Sequence, residues 1–300
     1  MLLDAPSLYF RAFYGIPDTV QAPDGTTVNA LRGLLDMAAM LIRTYRPDQL
    51  VACFDADWRP QFRVDALPSY KAHRVAYDHV EQVPDLLTPQ VPLIEEVLDA
   101  FGIARLGVAG FEADDVIGTL AVRATGPVVI VTGDRDLFQL VRDDRPISVL
   151  YTAKGMANLE RVDEAVVTAK YGIPGTAYAD FAVLRGDPSD GLPGVPGIGA
   201  KTAADLLQRF GSVAALLAAI EDGEADAVAP RIRGVLTGNL DYLSRAHVVA
   251  RVATDAPVPD LDATLPISPR DHEALVAFAE RWGVQSACAR LTAALTSLAS

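Results

Sequence analysis

The chain is poor in cysteine and lysine and contains no long apolar run. Cys53 and Cys288 are its only cysteines, too few for a disulfide framework, and no Cys/His grouping has zinc-site spacing. Both therefore read as small buried hydrophobes. No stretch approaches the roughly 20 uninterrupted apolar residues of a membrane span. The opening MLLDAPSLYF lacks the basic region that begins a secretory signal, so we expect a cytoplasmic protein that does not enter a membrane. An excess of positive charge is missing too: the formal net charge is −13, whereas nucleic-acid-binding domains are usually basic. That absence excludes little if many acids belong to one metal site. Only four of the 26 basic residues are lysines, Lys71, Lys154, Lys170 and Lys201. Arginine-rich usage suits bidentate phosphate contacts and equally suits a genomic composition bias. At 300 residues, half of them hydrophobic, the chain can build a full core and two structural units.

What the sequence does have is acids in distinctive places. Asp4 (MLLDA), Asp55 (VACFDA), Glu112, Asp114 and Asp115 (FEADDV), Asp134 and Asp136 (VTGDRD), and Asp187 and Asp190 (RGDPSD) mostly end apolar, strand-like runs. Acids in that position on a parallel sheet converge on one edge, where binding sites form. Carboxylates crowded into one crevice repel one another and stay partly protonated unless neutralised. Divalent cations supply the neutralisation, and hard oxygen ligands suit Mg²⁺ or Mn²⁺. Each acid also has a plainer use. Asp4 and Asp55 suit turn caps, Glu112 to Asp115 suit helix N-terminal charges, Asp134 and Asp136 suit an Asx-turn and a cap, and Asp187 and Asp190 sit in a Gly/Pro loop. Their recurrence after successive apolar elements favours a metal centre for phosphoryl chemistry. Two-metal phosphodiester hydrolysis holds its ions about 3.5–4 Å apart, one activating a water and the other stabilising the departing oxygen. The acids divide accordingly: Asp4, Asp55, Glu112 and Asp114 for the first ion, Asp134, Asp136, Asp187 and Asp190 for the second, and Asp115 bridging or bound through water.

Strand-like and helix-like segments alternate over the first two thirds of the chain. Leu2–Asp4, Leu50–Phe54, Ile103–Val108, Val128–Thr132 and Ile147–Leu150 read as strands; Ala30–Thr44, Leu93–Phe101, Asp114–Ala124 and Asp136–Val141 read as helices. Such alternation predicts a central, mostly parallel α/β sheet with right-handed crossovers. Beyond about residue 160 the strand pattern stops. Asp163–Tyr171, Ala177–Leu184, Lys201–Phe210, Val213–Ile220 and Gly238–His247 read as helices, Ala253–Pro266 as extended, and His272–Trp282 and the remaining tail as helical. The division expected is an acid-bearing α/β unit over 1–160, a helical unit over 161–255, and a C-terminal extended segment with helices over 256–300.

Two segments stand outside this pattern. Trp58–Thr88 is a long connection carrying Arg59, Arg63, Lys71, His73 and Arg74 with Tyr70 and Tyr77 interleaved. Loops of that length are usually functional or disordered, and cations between aromatics suit a nucleic-acid strand; a solvated excursion is the plain alternative. The stretch GLPGVPGIGAKTAADLL, residues 191–207, sets Gly194, Gly197 and Gly199 before a helix beginning near Lys201 and Thr202. Exposed backbone N–H groups at a helix N-terminus can dock a phosphate. The spacing is not that of a Walker P-loop; it suits a hairpin that holds the DNA backbone without reading sequence, where the plain alternative is a tight interhelical turn.

Taken with LLDAPSLYFRAFYG, FDA, SYKAHR, GFEADDVIGTLA, VTGDRDLFQLV and FAVLRGDPSDGLPGVPGIGAKTA, the chain resembles the 5′-nuclease family, which holds the flap endonucleases and the 5′→3′ exonuclease domain of bacterial DNA polymerase I. The likeness runs from residue 1 to about 250. It implies a PIN-like 5′-nuclease fold with a helical arch over about 58–88 and a helix–three-turn–helix that grips duplex DNA. It places all the acids above at metal-ligand positions, with Asp4 and Asp136 central to catalysis, and Lys71 and Arg74 against the scissile phosphate. It also implies DNA contacts from Arg11, Tyr70, Gly194, Gly197, Gly199, Lys201 and Thr202. Further implications are two or more Mg²⁺ or Mn²⁺ ions, a K⁺ ion on the hairpin carbonyls, and branched, nicked or gapped duplex DNA as partner. A monomer working beside a DNA polymerase or ligase completes the picture. Two departures stand out: Ala5 replaces the usual glycine after the first acid, and VAYDHVEQ, with His79, Glu81 and Asp85, makes the arch more acidic. The expectation is a stand-alone 5′→3′ exonuclease and flap endonuclease. The rivals are a PIN-type ribonuclease, which would lack the 191–202 hairpin, and a catalytically silent junction binder, which would have lost acids.

Overall fold

The computed structural model describes residues 1–76, 81–224 and 228–299. Six strands form one sheet: β1 (Leu2–Asp4), β2 (Val51–Cys53), β3 (Ala104–Leu106), β4 (Val128–Thr132), β5 (Ile147–Tyr151) and β6 (Glu160–Val162), in the order β3-β2-β1-β4-β5-β6. All neighbours pair in parallel except β5 and β6. β6 extends the sheet at the point where the strand pattern of the sequence stops. It is three residues long, and only Val162 of it is buried, so it carries no measurable alternation.

Period-two alternation sorts each strand onto two cores. Leu2, Val51, Cys53, Ile130 and Val149 face one, while Leu3, Ala52, Val131 and Leu150 face the other. The second core is closed by α1 (Ala5–Gly15), α2 (Asn29–Tyr45), α4 (Gln90–Phe101), α12 (His272–Trp282) and α13 (Gln285–Thr296). α2 covers the sheet with Leu31, Leu34, Leu35, Leu41 and Ile42, all essentially solvent-free; each such side chain contributes about 1.5–3 kcal/mol of burial. The first core is closed by α5 (Ala113–Arg123) together with α7 (Tyr178–Arg185), α8 (Ala200–Phe210) and α11 (Leu240–Ala250). Both cysteines are free and buried, as small hydrophobes should be. Among the described residues no single helix is long and apolar enough to cross a membrane.

The C-terminal stretch packs against the sheet. Leu50 N–H donates to Ala263 O (2.9 Å) and Leu265 N–H to Asp48 O (3.1 Å), stitching the irregular segment to the entrance of β2, and α12 and α13 then bury Leu275, Phe278 and Leu291 in the second core. α1, α3 (Gln61–Ala66) and α10 (Pro230–Thr237) were absent from the sequence pattern. Pro6 and Pro230 begin two of them at a position where proline is tolerated, and α3 is too short to show periodicity. Residues 136–140 form a 3₁₀ turn instead of an α-helix.

The region 58–88 departs most from expectation. Its described residues hold only α3 and a 3₁₀ turn at Ala72–Arg74, with no longer helix among them. Pro60 and Pro68 bracket α3, and Arg59 ties the return path by donating from Nε to Tyr70 O (2.6 Å) and from Nη2 to Pro68 O (2.9 Å). Tyr77 and His79 of the expected arch lie outside the described residues.

Candidate active site

The C-terminal ends of the parallel strands open onto a cleft of about 410 Å³. β1 delivers Asp4, the turn after β2 delivers Asp55, the start of α5 delivers Glu112 and Asp114, and the turn after β4 delivers Asp134; Lys71, Arg74 and Arg135 share the lining. Asp136 and Asp190 face a smaller recess behind it, again with Lys71, Glu112, Asp114 and Asp134. Local backbone chemistry fixes these acids before any ligand is considered. Asp4 caps α1 by accepting from Ser7 N–H (3.1 Å), and its second oxygen accepts from Thr132 Oγ1 (2.5 Å). The same hydroxyl accepts from Asp134 N–H (2.8 Å), so one threonine at the end of β4 holds two acids in register. Asp134 in turn accepts from Asp136 N–H (2.9 Å), and Asp55 accepts from Ala113 N–H (2.7 Å).

Crowding shows in the acidities. Desolvation raises Asp4 to about 6, against the hydrogen bonds that lower it. Surrounding protein raises Asp55 to about 7, even though its side chain stays open to cleft solvent. Asp114 and Asp136 are pushed well above the ordinary carboxylate range by burial and then by neighbouring carboxylates, Asp4 and Asp134 for the first, Asp134, Asp190 and Asp187 for the second. Asp190 is raised by burial as well, with Lys71 opposing.

Three of the expected ligands are engaged by the protein itself. Asp115 is fully buried, and both of its oxygens are taken. Arg63 Nη2 (2.6 Å) and Ala253 N–H (2.7 Å) donate to Oδ1, while Arg63 Nη1 (2.9 Å) and Glu112 N–H (3.1 Å) donate to Oδ2. These contacts anchor Asp115 within the fold, so an ion expected to be bridged by it, or bound to it through water, would share its oxygens with these donors. Glu112 accepts from Lys71 Nζ on one oxygen and from Arg63 and the Tyr70 hydroxyl (2.5 Å) on the other. Asp187 accepts from Arg185 Nη2 (3.2 Å), Ser189 N–H (3.0 Å) and the Ser189 hydroxyl; it shapes the 187–191 loop and is not in the cleft lining. Accordingly, no group of three His, Cys, Asp or Glu side chains among the described residues is gathered tightly enough to hold an ion directly. Hard carboxylate oxygens with raised pKa values still fit divalent ions held largely through water.

Arg63 is the residue that sequence reasoning missed. It is 2% exposed, and nothing but its place in a basic loop singled it out. Its buried guanidinium links α3 to α5 and, through Arg251 O (3.2 Å), to the segment after α11. Thr132 gave no signal at all, being one more β-branched strand residue.

Lys71 and Arg74 reach the cleft because the 69–74 segment is docked on the 187–191 loop. Lys71 N–H donates to Asp190 O (3.2 Å), Arg74 Nη2 to Ser189 O (3.2 Å) and Ser69 Oγ to Gly191 O (2.8 Å). Gly191 has φ +75°, and a Cβ there would land on the Ser69 carbonyl. Chemical denaturation should therefore find Gly191→Ala less stable by about 2–4 kcal/mol, combining left-handed strain with a steric clash. Gly110→Ala, at φ +80° with open space around it, should lose only about 1–2 kcal/mol. Equal losses would mean that the docking contact contributes nothing.

The glycine hairpin sits beside the cleft on the helical side. Gly194 (φ +74°) and Gly197 (φ +78°) take left-handed conformations, and Gly199 caps α8 without a side-chain partner. Tyr242 pins the turn, its hydroxyl accepting from Gly194 N–H (2.9 Å) and donating to Val183 O (3.0 Å). Lys201 and Thr202 fall in the first turn of α8, where N–H groups have no intrahelical partner. Arg11 is apart from this hairpin, donating from Nε to Thr152 Oγ1 (3.0 Å) in a groove next to Gly133.

An acid-rich cleft at the strand ends, with cations brought to it on a docked loop, defines an enzyme of phosphoryl chemistry. Family models agree over most of the chain: the 5′–3′ exonuclease N-terminal resolvase-like domain matches residues 1–172 and the 5′–3′ exonuclease C-terminal SAM fold matches residues 173–273. The chain belongs to the 5′–3′ exonuclease family and is a nuclease of that family. It is 59% identical to a 5′–3′ exonuclease of Streptomyces coelicolor, covering 99% of this chain and 100% of that protein. It is 41% identical to DNA polymerase I of Mycobacterium tuberculosis over 91% of this chain and 29% of the polymerase. The fold is similar to that of the bacteriophage T5 D15 flap endonuclease in a pseudo-enzyme–product complex with DNA and metal ions, with a TM-score of 0.65 at 15% identity over 100% of this chain and 98% of that one.

Proposed function

We propose that this nuclease hydrolyses DNA phosphodiesters at 5′ flaps, nicks and gaps with the help of two divalent ions, Mg²⁺ or Mn²⁺. The observation that carries the reading is the convergence of Asp4, Asp55, Asp114 and Asp134 with Lys71 and Arg74 in one cleft. Asp4, Asp55 and Asp114, with Glu112 behind them, would hold one ion; Asp134, Asp136 and Asp190 would hold the other. Bound there, the ions supply charge neutralisation and Lewis acidity at the reacting phosphate. The chain's own residues do the rest. Lys71 and Arg74 bring positive charge to the phosphate under attack, and Thr132 keeps Asp4 and Asp134 at fixed separation. Gly194, Gly197, Gly199, Lys201 and Thr202 would receive the duplex backbone, with a K⁺ ion on the hairpin carbonyls. Arg11 and Tyr70 belong to the same DNA-facing set, although the Tyr70 ring is 2% exposed and contributes mainly by orienting Glu112. A monomer acting beside a DNA polymerase or ligase fits nick and gap substrates.

Incubation with 5′-labelled nick, flap and overhang DNA, each with a matched RNA version, tests the reading. Cleavage should need added Mg²⁺ or Mn²⁺, should prefer DNA, and should fall at the junction. Turnover in excess chelator, or equal cleavage of RNA, would count against it.

A second consequence concerns pH. Asp4 and Asp55, at about 6 and about 7, keep protons in the folded chain at pH values where the unfolded chain, near 4, has lost them. Raised values of this kind favour folding fully below about pH 4, and that contribution is lost as pH rises through 6–7. Divalent ions take the place of those protons. Thermal scans with and without Mn²⁺ should show a stabilisation of roughly 5 °C at pH 8 that largely disappears by pH 5.5. An ion-induced shift that stays flat across this window would remove these carboxyls from the site.

A further inference from the structure

Three cations line the cleft, and two of them are already held by the protein. Lys71 sits on Glu112, and Arg74 donates to Ser189 O. The third, Arg135, lies between Asp134 and Asp136 in sequence and is exposed, and its guanidinium makes no hydrogen bond or ion pair with any described residue. Its electrostatic neighbours are Tyr178, Tyr151 and Tyr171, followed by Asp187. Tyr151 belongs to the cleft lining, and beyond it lies Lys170, at the end of α6 (Glu164–Tyr171), with its ammonium 5.8 Å from the Tyr151 ring centre and 5.6 Å from that of Tyr171. Lys170 is exposed too and has no carboxylate partner among the described residues. Both rings are half-buried and backed by aromatics: Tyr151 meets Phe138 edge-on at 5.2 Å, and Tyr171 meets Tyr178 edge-on at 5.1 Å.

A protein of net charge −13 has carboxylates to spare for pairing surface cations, so two unpaired ones beside a dense acidic cluster need another partner. Cations with no carboxylate in contact, set beside half-buried aromatic rings and continuous with a cleft, suit a nucleic-acid backbone. We infer that Arg135 and Lys170, supported by Tyr151 and Tyr171, form a shelf that holds backbone phosphates of the substrate strand just outside the cleft. The inference rests on the nuclease reading above and extends its substrate path over the β5–α6 side. Arg135 contacts substrate in this scheme without touching the reacting phosphate.

The test is equilibrium binding of labelled flap DNA by the full chain across a salt series, alongside steady-state cleavage. Arg135→Ala with Lys170→Ala should weaken binding on the order of tenfold per removed contact at about 0.1 M salt, and should reduce the slope of log affinity against log salt by about 0.7–0.9 per cation. KM should rise while kcat is retained, and Arg135→Lys should recover most of the salt slope. Arg105→Ala, which removes a surface cation paired with Asp99 and Glu95 on the β3 edge, is the control and should leave the slope alone. An unchanged slope and affinity in the double variant overturn the shelf. So does a collapse of kcat with affinity intact, because that would put Arg135 at the reacting phosphate. Failure of the parent protein to bind flap DNA would sink the proposed function itself, which separates the two outcomes.

Discussion

Asp136→Asn is expected to lose about three orders of magnitude in single-turnover cleavage while binding flap DNA at least as tightly as the parent. Asp136 opens the 3₁₀ turn after β4, its backbone tied to Asp134 and its carboxyl in the same recess as Asp190. Asparagine keeps that volume and the backbone tie to Asp134, so the turn and the fold should survive. What disappears is the ionisable oxygen in the most crowded part of the cluster. Losing one group that stabilises charge at a reacting centre typically costs 10²–10³ in rate; loss of part of an ion's coordination removes more than one such effect. Binding should not suffer, because a negative group near the phosphates is gone. A variant that cuts in Mg²⁺ within tenfold of the parent rate would dismiss Asp136 from the chemistry.

How much of this was legible beforehand depended on the range of the interaction concerned. β1, β2, β4 and β5 were readable because each is a local apolar run, and the acids at their ends followed from the rule that parallel strands share one edge. The same rule could not distinguish Asp114, which faces the cleft, from Asp115, which is turned to Arg63 and Ala253. Adjacent residues on a helix differ by about 100° in direction, and which one faces inward is decided by partners far away in sequence. Arg63, 52 residues from Asp115, is such a partner. Thr132 illustrates a second limit: its side chain is a strand residue by composition and a hydrogen-bond hub only by position. β6 shows a third, since an edge strand with one buried residue has no periodicity to read.

The cations explain how so acidic a chain meets a polyanion. Arg63 neutralises buried carboxylates permanently, bonding Glu112 and Asp115 at 2% exposure. Lys71, on Glu112, and Arg74, on Ser189 O, line the cleft on a docked loop. The Arg135 and Lys170 side chains have no carboxylate partner among the described residues. Charge is thus graded from fully compensated inside to free outside, which matters more for association than the net value.

Lys71→Met should lower single-turnover cleavage by about 10²–10³ and should also shift its pH dependence upward. Lys71 is held in a left-handed conformation (φ 46°), which costs an L-residue about 1–2 kcal/mol, with its N–H on Asp190 O and its ammonium on Glu112. Burial alone would lower its pKa, but Glu112, Tyr70, Asp190 and Asp55 raise it far more, so the ammonium is charged wherever the enzyme works. Methionine keeps most of the length of the stem and removes the charge, with its bond to Glu112 and its place over the Tyr70 ring. Since Lys71 is the chief group lowering Asp55 and Asp190, its loss lets both carboxyls rise further. The variant should then need higher pH, or more Mn²⁺, to reach half of its own maximal rate. A lower rate with an unmoved pH midpoint would mean that Lys71 touches the phosphate without tuning the acids, whereas an upward-shifted midpoint with an undiminished plateau would mean the reverse.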